Sequence, residues 1–209
     1  YDDFAEYLIQ VADFLSDNDG IKLNYLSPFN EPQWDWRDGG QEGSPWLNTE
    51  MAAFTRVLDA ALSEAALDIK IDIAEAGQIQ YLYSNYNRPE RGNQIHAFFN
   101  ENSSSYVGNL EHVAHQISGH SYYTTWDLTN LTSTRKLLAS TINSYPDLEY
   151  NMSEYTLLEN NEMVKGPGRD LGINPALYMA RVIHTDLVLA GASSWQWWLA
   201  ISPYDYKDG

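Results

Sequence analysis

The chain has 209 residues, of which 29 are acidic and 12 are basic, so its formal net charge at pH 7 is −17. This charge repels phosphate backbones and anionic lipids, which argues against binding to nucleic acid or to a membrane surface. The lack of cysteine excludes disulfides, thiolate metal sites and a cysteine nucleophile. No stretch approaches the ~18 consecutive apolar residues of a transmembrane helix. The 7 Trp and 15 Tyr residues can both fill a core and stack on sugar rings.

The first half of the chain alternates between helical and strand periodicity. Apolar residues recur with helical spacing over residues 2–17, and the glycine that follows is expected to end this helix. Residues 21–29 are apolar and aromatic and predict a short strand. Asn48 or Thr49 can cap a second helix, whose apolar residues recur at i, i+3 and i+7. Residues 68–74 alternate as a strand does.

The second half continues this alternation after a polar stretch. Residues 78–105 contain Pro89 and Gly92, so broken helix and loop are expected there. Asn174 before Pro175 is a strong helix start, because a capping side chain precedes a residue preset for the first turn. The other predicted elements are one or two helical turns in 107–114, a strand at 116–122, a helix at 131–144, a strand at 148–154, a helix running to 189 and a strand at 192–201.

The element order is one helix followed by five strand–helix units, of which the last has no helix. Strands alternating with helices predict a parallel β/α architecture, as a single domain or part of one. Five strands can form an open doubly wound sheet, whereas a β/α barrel has eight strands and ~250 residues. If the fold is a barrel, roughly three units are missing upstream. The sequence also begins inside a predicted helix, which suggests an excerpted chain; in the barrel case, residues 1–209 are expected to be the C-terminal part of one domain.

Two glutamates stand where predicted strands end. Glu31 lies in the run SPFNEP and Glu154 in the run MSEY, 123 residues later in the chain. Ligands of parallel β/α proteins bind at the carboxyl ends of the strands. A single loop glutamate is usually just solvated. Two glutamates at equivalent strand ends predict a shared site.

The runs around these glutamates resemble glycoside hydrolase family 30, most closely its endo-β-1,6-galactanase branch. The resemblance is carried by SPFNEPQWDW, QEGSPW, SEYTLLENNE and SSWQWWLAISPYDYKDG in this order. It implies an incomplete (β/α)8 TIM barrel, containing strands 4 to 8 and the helix before strand 4. It also implies that Glu31 is the general acid/base and Glu154 the nucleophile of a retaining hydrolase. Such enzymes hold the two carboxyl groups ~5–5.5 Å apart and keep their pKa values different.

The resemblance assigns further polar residues to the site. Asn30 is expected to bond the 2-hydroxyl of the sugar, although Asn before Glu-Pro can also simply form a turn. Tyr122 is expected to hold the nucleophile. His120 shares its strand face and can contact substrate or be a core histidine. Glu75 and Gln78 stand at the end of another strand, and each can bond substrate or be a plain loop residue.

The tryptophans are candidate sugar platforms. Trp34, Trp36 and Trp46 follow Glu31 in a glycine-rich loop. Indoles in such loops, away from a core, more often bind ligands than pack against other side chains. Trp195 and Trp197 share one strand face, and we expect Trp195 near the sugar. Trp198 is expected on the opposite face of the strand, in the layer between strand and helix.

Other kinds of site have little support. The five histidines lack the HExxH spacing of a zinc hydrolase, and His112 and His115 are expected on a solvated helix face. We therefore expect no metal and no cofactor. The expected partner is a polysaccharide or oligosaccharide substrate. For a glycosidase that acts on such a substrate, we expect a secreted, periplasmic or cell-surface location. The alternatives are a non-catalytic carbohydrate-binding barrel and a relative that acts on β-1,6-glucan, xylan or glucosylceramide.

Overall fold

The computed structural model describes residues 1–37, 40–166 and 170–201. Within these ranges five strands form one parallel sheet in the order β1-β2-β3-β4-β5. The strands are β1 Tyr25–Leu26, β2 Lys70–Ala76, β3 Val113–His120, β4 Glu149–Tyr155 and β5 Ser194–Trp197. The helices are α1 Asp2–Asp19, α2 Asn48–Glu64, α3 Gln80–Tyr83, α4 Gln94–Phe99, α5 Leu128–Ile142 and α6 Ile173–Val188.

The sheet order matches the chain order, because each strand pairs with its sequence neighbours. A doubly wound sheet instead reverses direction at a switch point. The observed order is therefore that of a barrel wall, as the resemblance implied. None of the helices in the described ranges has the length and apolar character needed to cross a membrane.

The apolar core lies between the sheet and its helices. On α2 the buried residues recur with helical spacing, as predicted: Met51, Phe54, Leu58 and Leu62. The opposite face of the sheet is polar. There Gln116 donates to Asp72 Oδ2 over 2.7 Å, so β3 is tied to β2 by side chains as well as by backbone.

Two predicted strands are shorter than expected. In place of residues 21–29, β1 contains Tyr25 and Leu26 alone. Pro28 lacks the N–H that a ladder requires, and Ser27 donates from Oγ to the side chain of Glu75 instead. In place of residues 192–201, β5 starts at Ser194, because Ala192 donates its N–H to Asp186 O at the end of α6.

Helix starts and one histidine also differ from the predictions. Asn48 donates to Gly92 O instead of capping α2, and Glu50 accepts the N–H of Leu47 there. Asn174 lies inside α6, which follows Gly172. The predicted helical turns before β3 are hydrogen-bonded turns, and His112 is buried with its ring against Ile69 O and Ser63 Oγ. The solvated helix face expected for His112 was therefore wrong.

Candidate active site

The carboxyl ends of the strands surround an open cavity of about 890 Å³. Glu31 follows β1, Glu75 lies near the end of β2, and His120 ends β3. Glu154 is the second-last residue of β4. Because the strands are parallel, these residues meet at one edge of the sheet.

Two of these glutamates, Glu31 and Glu75, have an unusual backbone conformation. Glu31 has a φ of 44° and Glu75 a φ of 47°, in the left-handed region that non-glycine residues rarely adopt. The N–H of Glu31 donates to Glu75 O over 2.8 Å, which ties the loop after β1 to the end of β2. Such conformations cost about 1–3 kcal/mol each and concentrate at functional sites.

The structure brings Glu31 and Glu154 together around His120. One oxygen from each carboxylate and one ring nitrogen of His120 all lie within 4.8 Å of one another. His120 Nδ1 is 2.8 Å from Glu31 Oε1 and 4.0 Å from Glu154 Oε1. The two carboxylates face a common pocket from β1 and β4.

Tyr122 holds Glu154. Its hydroxyl donates to Glu154 Oε1 over 2.9 Å, which is the contact that the resemblance implied. Burial and the nearby carboxylates raise the pKa of Tyr122, so its hydroxyl keeps its proton. Burial also raises the pKa of Glu154, although His120 and the Tyr122 hydrogen bond oppose this shift.

His120 is a buried cation at neutral pH. Burial alone would lower its pKa, but hydrogen bonds to Glu31 and Glu75 raise the pKa to about 9. Its Nε2 lies 3.2 Å from Glu75 Oε2. Burial would raise the pKa of Glu75, yet the bonds from His120, Ser153 and Ser27 lower it overall. The protonated ring therefore donates to a carboxylate on each side.

His120 and Glu75 lie beneath the cavity wall. His120 is 1% exposed, and Glu75 is occupied by His120, Ser153 and Ser27. Of the two interpretations left open for His120, burial favours the core histidine over substrate contact, and Glu75 is held by protein partners; their position suits them to orient Glu31. Asn30 is exposed on the cavity wall, as expected for a substrate-binding residue.

Trp34 and Trp36 line the cavity as expected, but the other tryptophans do not follow the predictions. Trp46 packs on Phe29 and Phe54 in the core. Trp195 donates from Nε1 to Asp186 Oδ2 over 3.0 Å, so it points towards α6, and Trp197 packs on Trp195. Trp198 lines the cavity. The two faces of β5 are therefore the reverse of those expected.

Several wall residues were missed by the sequence analysis. Glu159, to which no role was assigned, faces the cavity and accepts hydrogen bonds from Tyr155 (2.7 Å) and from Thr125. Gln78, one of the residues considered for substrate binding, lines the wall. The polar segment after it supplies amides and phenol rings that were not considered: Gln80, Tyr81, Tyr86 and Asn87. Its many aromatic and amide residues, directly after a strand end, were the available signal.

The cluster also has the spacing of a metal site, since Glu31, His120 and Glu154 each offer one ligand atom. A metal requires a ring nitrogen with a free lone pair. Both ring nitrogens of His120 already contact carboxylates, Nδ1 with Glu31 and Nε2 with Glu75, so a metal ion bound to His120 would have to displace one of these contacts.

Comparison with solved structures supports this fold, and the chain matches part of larger proteins. A conserved exported protein from Bacteroides fragilis is 34% identical, with a TM-score of 0.89 over 96% of this chain and 42% of its own. The catalytic domain of the family 30 xylanase C from Talaromyces cellulolyticus is 18% identical (TM-score 0.60; 95% of this chain, 38% of its own). Endo-glycoceramidase II from a Rhodococcus species is also 18% identical (TM-score 0.53; 96% and 41%). The chain thus spans less than half the length of these proteins, and its five strands match part of their barrels.

Sequence comparison gives the family directly. No curated protein matches the chain. The model of O-glycosyl hydrolase family 30, however, matches residues 1–209, the whole of the sequence. The shared edge of parallel strands, the paired glutamates and this match agree. The chain belongs to O-glycosyl hydrolase family 30.

Proposed function

We propose that the full-length protein containing this chain is a retaining glycoside hydrolase of β-linked polysaccharide, with β-1,6-galactan as the leading substrate. The observation that carries the proposal is the approach of Glu31 and Glu154 oxygens to within 4.8 Å. Retaining enzymes hold their carboxyl groups about 5–5.5 Å apart, whereas inverting enzymes need about 6.5–9.5 Å to admit a water. The short separation favours double displacement.

In the first step Glu154 attacks the anomeric carbon as the nucleophile. The glycosidic C–O bond breaks while Glu31 gives a proton to the leaving oxygen. In the second step Glu31 takes a proton from water, the water oxygen bonds to the anomeric carbon, and Glu154 leaves as a carboxylate. Tyr122 orients Glu154 for both steps through its 2.9 Å hydrogen bond.

His120 is a positioning residue for Glu31. Because its pKa is raised to about 9, it keeps a proton at neutral pH and directs Nδ1–H at Glu31 Oε1. In the first step the proton on Nδ1 passes to Glu31 as Glu31 protonates the leaving oxygen, and in the second step the proton that Glu31 takes from water returns to Nδ1. Since burial raises the pKa of Glu154, the nucleophile ionises at a higher pH than an exposed glutamate.

The cavity favours uncharged sugars. Its described wall combines three carboxylates (Glu31, Glu154 and Glu159) with amides and aromatic rings. The carboxylates repel acidic sugars, and the rings and amides suit the faces and hydroxyls of neutral ones. The galactan assignment rests on the resemblance, and β-1,6-glucan, xylan and glucosylceramide are the other substrates to be compared. Similarity to an exported protein supports a secreted, periplasmic or cell-surface location.

The test is hydrolysis by the full-length protein of a panel containing β-1,6-galactan from arabinogalactan, β-1,6-glucan, xylan and glucosylceramide. We expect release of sugars from one of them, and an NMR time course in which the first product keeps the β configuration. An α product formed first would contradict the nucleophile assignment. Binding of a polymer with no product would instead support the non-catalytic carbohydrate-binding alternative.

Variants test the individual roles. Glu154→Ala should abolish turnover, whereas Glu149→Ala, at the exposed opposite end of β4, should not. Azide should restore activity to Glu31→Ala on a substrate with an activated leaving group, because such a group needs no acid and azide needs no base. Equal losses in all three variants would contradict both assignments.

A further inference from the structure

Four aromatic side chains pack in a continuous row next to Glu31, here called the aromatic wall: Trp34, Tyr81, Tyr86 and Tyr123. The indole of Trp34 contacts Tyr81 edge to face, with ring centroids 5.7 Å apart, and Tyr123 in the same way at 6.0 Å. Tyr81 contacts Tyr86 at 5.7 Å. All four border the cavity, where Tyr86 and Tyr123 are 60% and 73% exposed and Trp34 is half-buried; Tyr81 is 0% exposed and supports Trp34 and Tyr86 from beneath. The wall therefore offers free apolar ring surface to a ligand.

Trp34 is fixed relative to Glu31 and to the end of β2. Its N–H donates to Glu31 O over 3.2 Å. Gly77 lies directly against the indole, because a Cβ at this position would be 2.5 Å from Trp34 Nε1. The N–H of Gly77 is in turn bonded to Gln33 Oε1 over 3.0 Å. The platform is thus built into the same loop that carries Glu31.

Amide groups surround the ring surface. Gln78, Gln80 and Asn87 line the cavity beside the aromatic wall. Asn87 accepts a 2.7 Å hydrogen bond from the hydroxyl of Tyr81, which fixes the amide. Apolar ring faces with neutral donors and acceptors around them are complementary to a pyranose ring, which has apolar C–H faces and a hydroxyl rim.

We propose that the aromatic wall binds the sugar of the leaving group, so that this site acts on oligosaccharide or polymer chains that extend beyond the cleaved bond. The proposal rests on the hydrolase function proposed above. In that reaction Glu154 bonds to the anomeric carbon and Glu31 protonates the leaving oxygen. The departing sugar is therefore on the Glu31 side, where Trp34 and its neighbours stand.

The same wall should bind acceptor sugars after the leaving group has gone. An acceptor hydroxyl then takes the place of water: its oxygen bonds to the anomeric carbon, its proton goes to Glu31, and the bond to Glu154 breaks. Stacking on Trp34 orients the acceptor for this attack. The wall thus sets the ratio of transglycosylation to hydrolysis as well as the rate on long substrates.

The experiment compares two donors that share the sugar bonded to Glu154 and differ in the leaving group. One is a β-1,6-galacto-oligosaccharide, and the other is β-D-galactosyl fluoride, whose leaving group has no ring to stack; both are replaced by their counterparts if the panel identifies another sugar. In Trp34→Ala we expect kcat/KM on the oligosaccharide to fall about 10-fold, the loss of one aromatic contact, with little change on the fluoride. The transglycosylation ratio with added oligosaccharide should fall by a similar factor.

Further variants keep the result interpretable. Tyr86→Ala should show the same pattern with little effect on folding, since this side chain is mostly exposed. Trp34→Phe should recover part of the loss, and Tyr7→Ala, an exposed aromatic on α1, should behave as the parent enzyme. Equal losses on both donors, or no loss on either, in Trp34→Ala and Tyr86→Ala would overturn the proposal. A parent enzyme that cleaves neither donor refutes the hydrolase function itself, and the role of the wall with it.

Discussion

His120 Nδ1 lies 2.8 Å from Glu31 Oε1 while Nε2 of the same ring lies 3.2 Å from Glu75 Oε2. One buried cation thus links the carboxylate that faces the cavity to one that lies beneath it. The negative charge of Glu75 keeps the proton on His120, and His120 in turn orients Glu31. Changes at Glu75 are therefore expected to reach the reaction without touching the substrate.

Glu75→Gln should lower the pKa of His120, because the removed charge is one cause of its rise to about 9. The alkaline limb of kcat/KM is then expected to move to lower pH, with a smaller effect on KM than on kcat. Profiles from pH 5 to 10 for the parent, Glu75→Gln and Glu149→Gln give the measurement and its control. An unshifted alkaline limb would show that His120 does not set it.

The free energy of unfolding should depend on pH through the same proton on His120. The pKa of His120 is about 9 in the folded protein and about 6.5 in an exposed histidine. The group therefore contributes stability that is fully present below pH 6.5 and is lost as the pH rises through 9. Urea unfolding at several pH values should show this decline in the parent and a weaker one in His120→Asn. A decline of the same size in both would contradict it.

Tyr122→Phe removes the hydroxyl that helps to ionise Glu154. The pKa of Glu154, already raised by burial, should rise further, since the Tyr122 hydrogen bond is one of the effects that lower it. We expect the acid limb of the kcat profile to move to higher pH and kcat to fall ~10- to 100-fold, as for a lost hydrogen bond to a buried charged group. Tyr7→Phe is the matched control. A lower kcat with an unmoved acid limb would indicate a purely geometric role.

Asp72 should lower the free energy of unfolding as the pH rises from about 4 to 7. Burial and the charge of Glu75 raise its pKa to about 7, although Ser118 and Gln116 donate to it. Because the folded pKa exceeds the unfolded one, stability is lost as the pH rises from about 4 to 7. Asp72→Asn should therefore gain free energy of unfolding at pH 8 and gain less at pH 5. A gain of the same size at both values would rule out titration as the cause.

The ion pair of Arg135 and Asp186 lies behind the cavity and is expected to stabilise the segment that carries Tyr122. Both side chains are 0% exposed, and Arg135 also donates to Ser121 Oγ and Thr124 O, on either side of Tyr122. Arg135→Ala leaves a buried carboxylate unpaired, a change that typically costs 3–5 kcal/mol. Urea unfolding should detect this loss. Asp35→Asn, at the exposed pair with Arg91, should change stability little.

The sequence predicts the barrel wall well because each element has its own periodicity. The helical spacing of apolar residues in α2 and the alternation of apolar and polar residues in β2 can be recognised without tertiary information. Gly20 ends α1 with a φ of 67°, as its position in the sequence suggests. The paired glutamates follow from the rule that strand ends meet. Their catalytic roles stay predictions until the variants are measured.

What could not be predicted depends on contacts between distant segments. His120 is a core cation because Glu31 and Glu75 converge on it, and no local pattern encodes that convergence. Trp195 turns to α6 because Asp186 accepts its N–H, which leaves the cavity to Trp198. Glu159 faces the cavity because Tyr155 and Thr125 hold it there.

Because neighbours in the sheet are also neighbours in the chain, each β/α unit can dock on the preceding one as soon as it leaves the ribosome. Growth of the sheet at a single edge keeps the separation between pairing segments short throughout synthesis. The two glutamates meet later, since Glu31 is made early and Glu154 is made only with β4. The nascent chain is therefore expected to have ordered strands well before it has the paired glutamates of the candidate site.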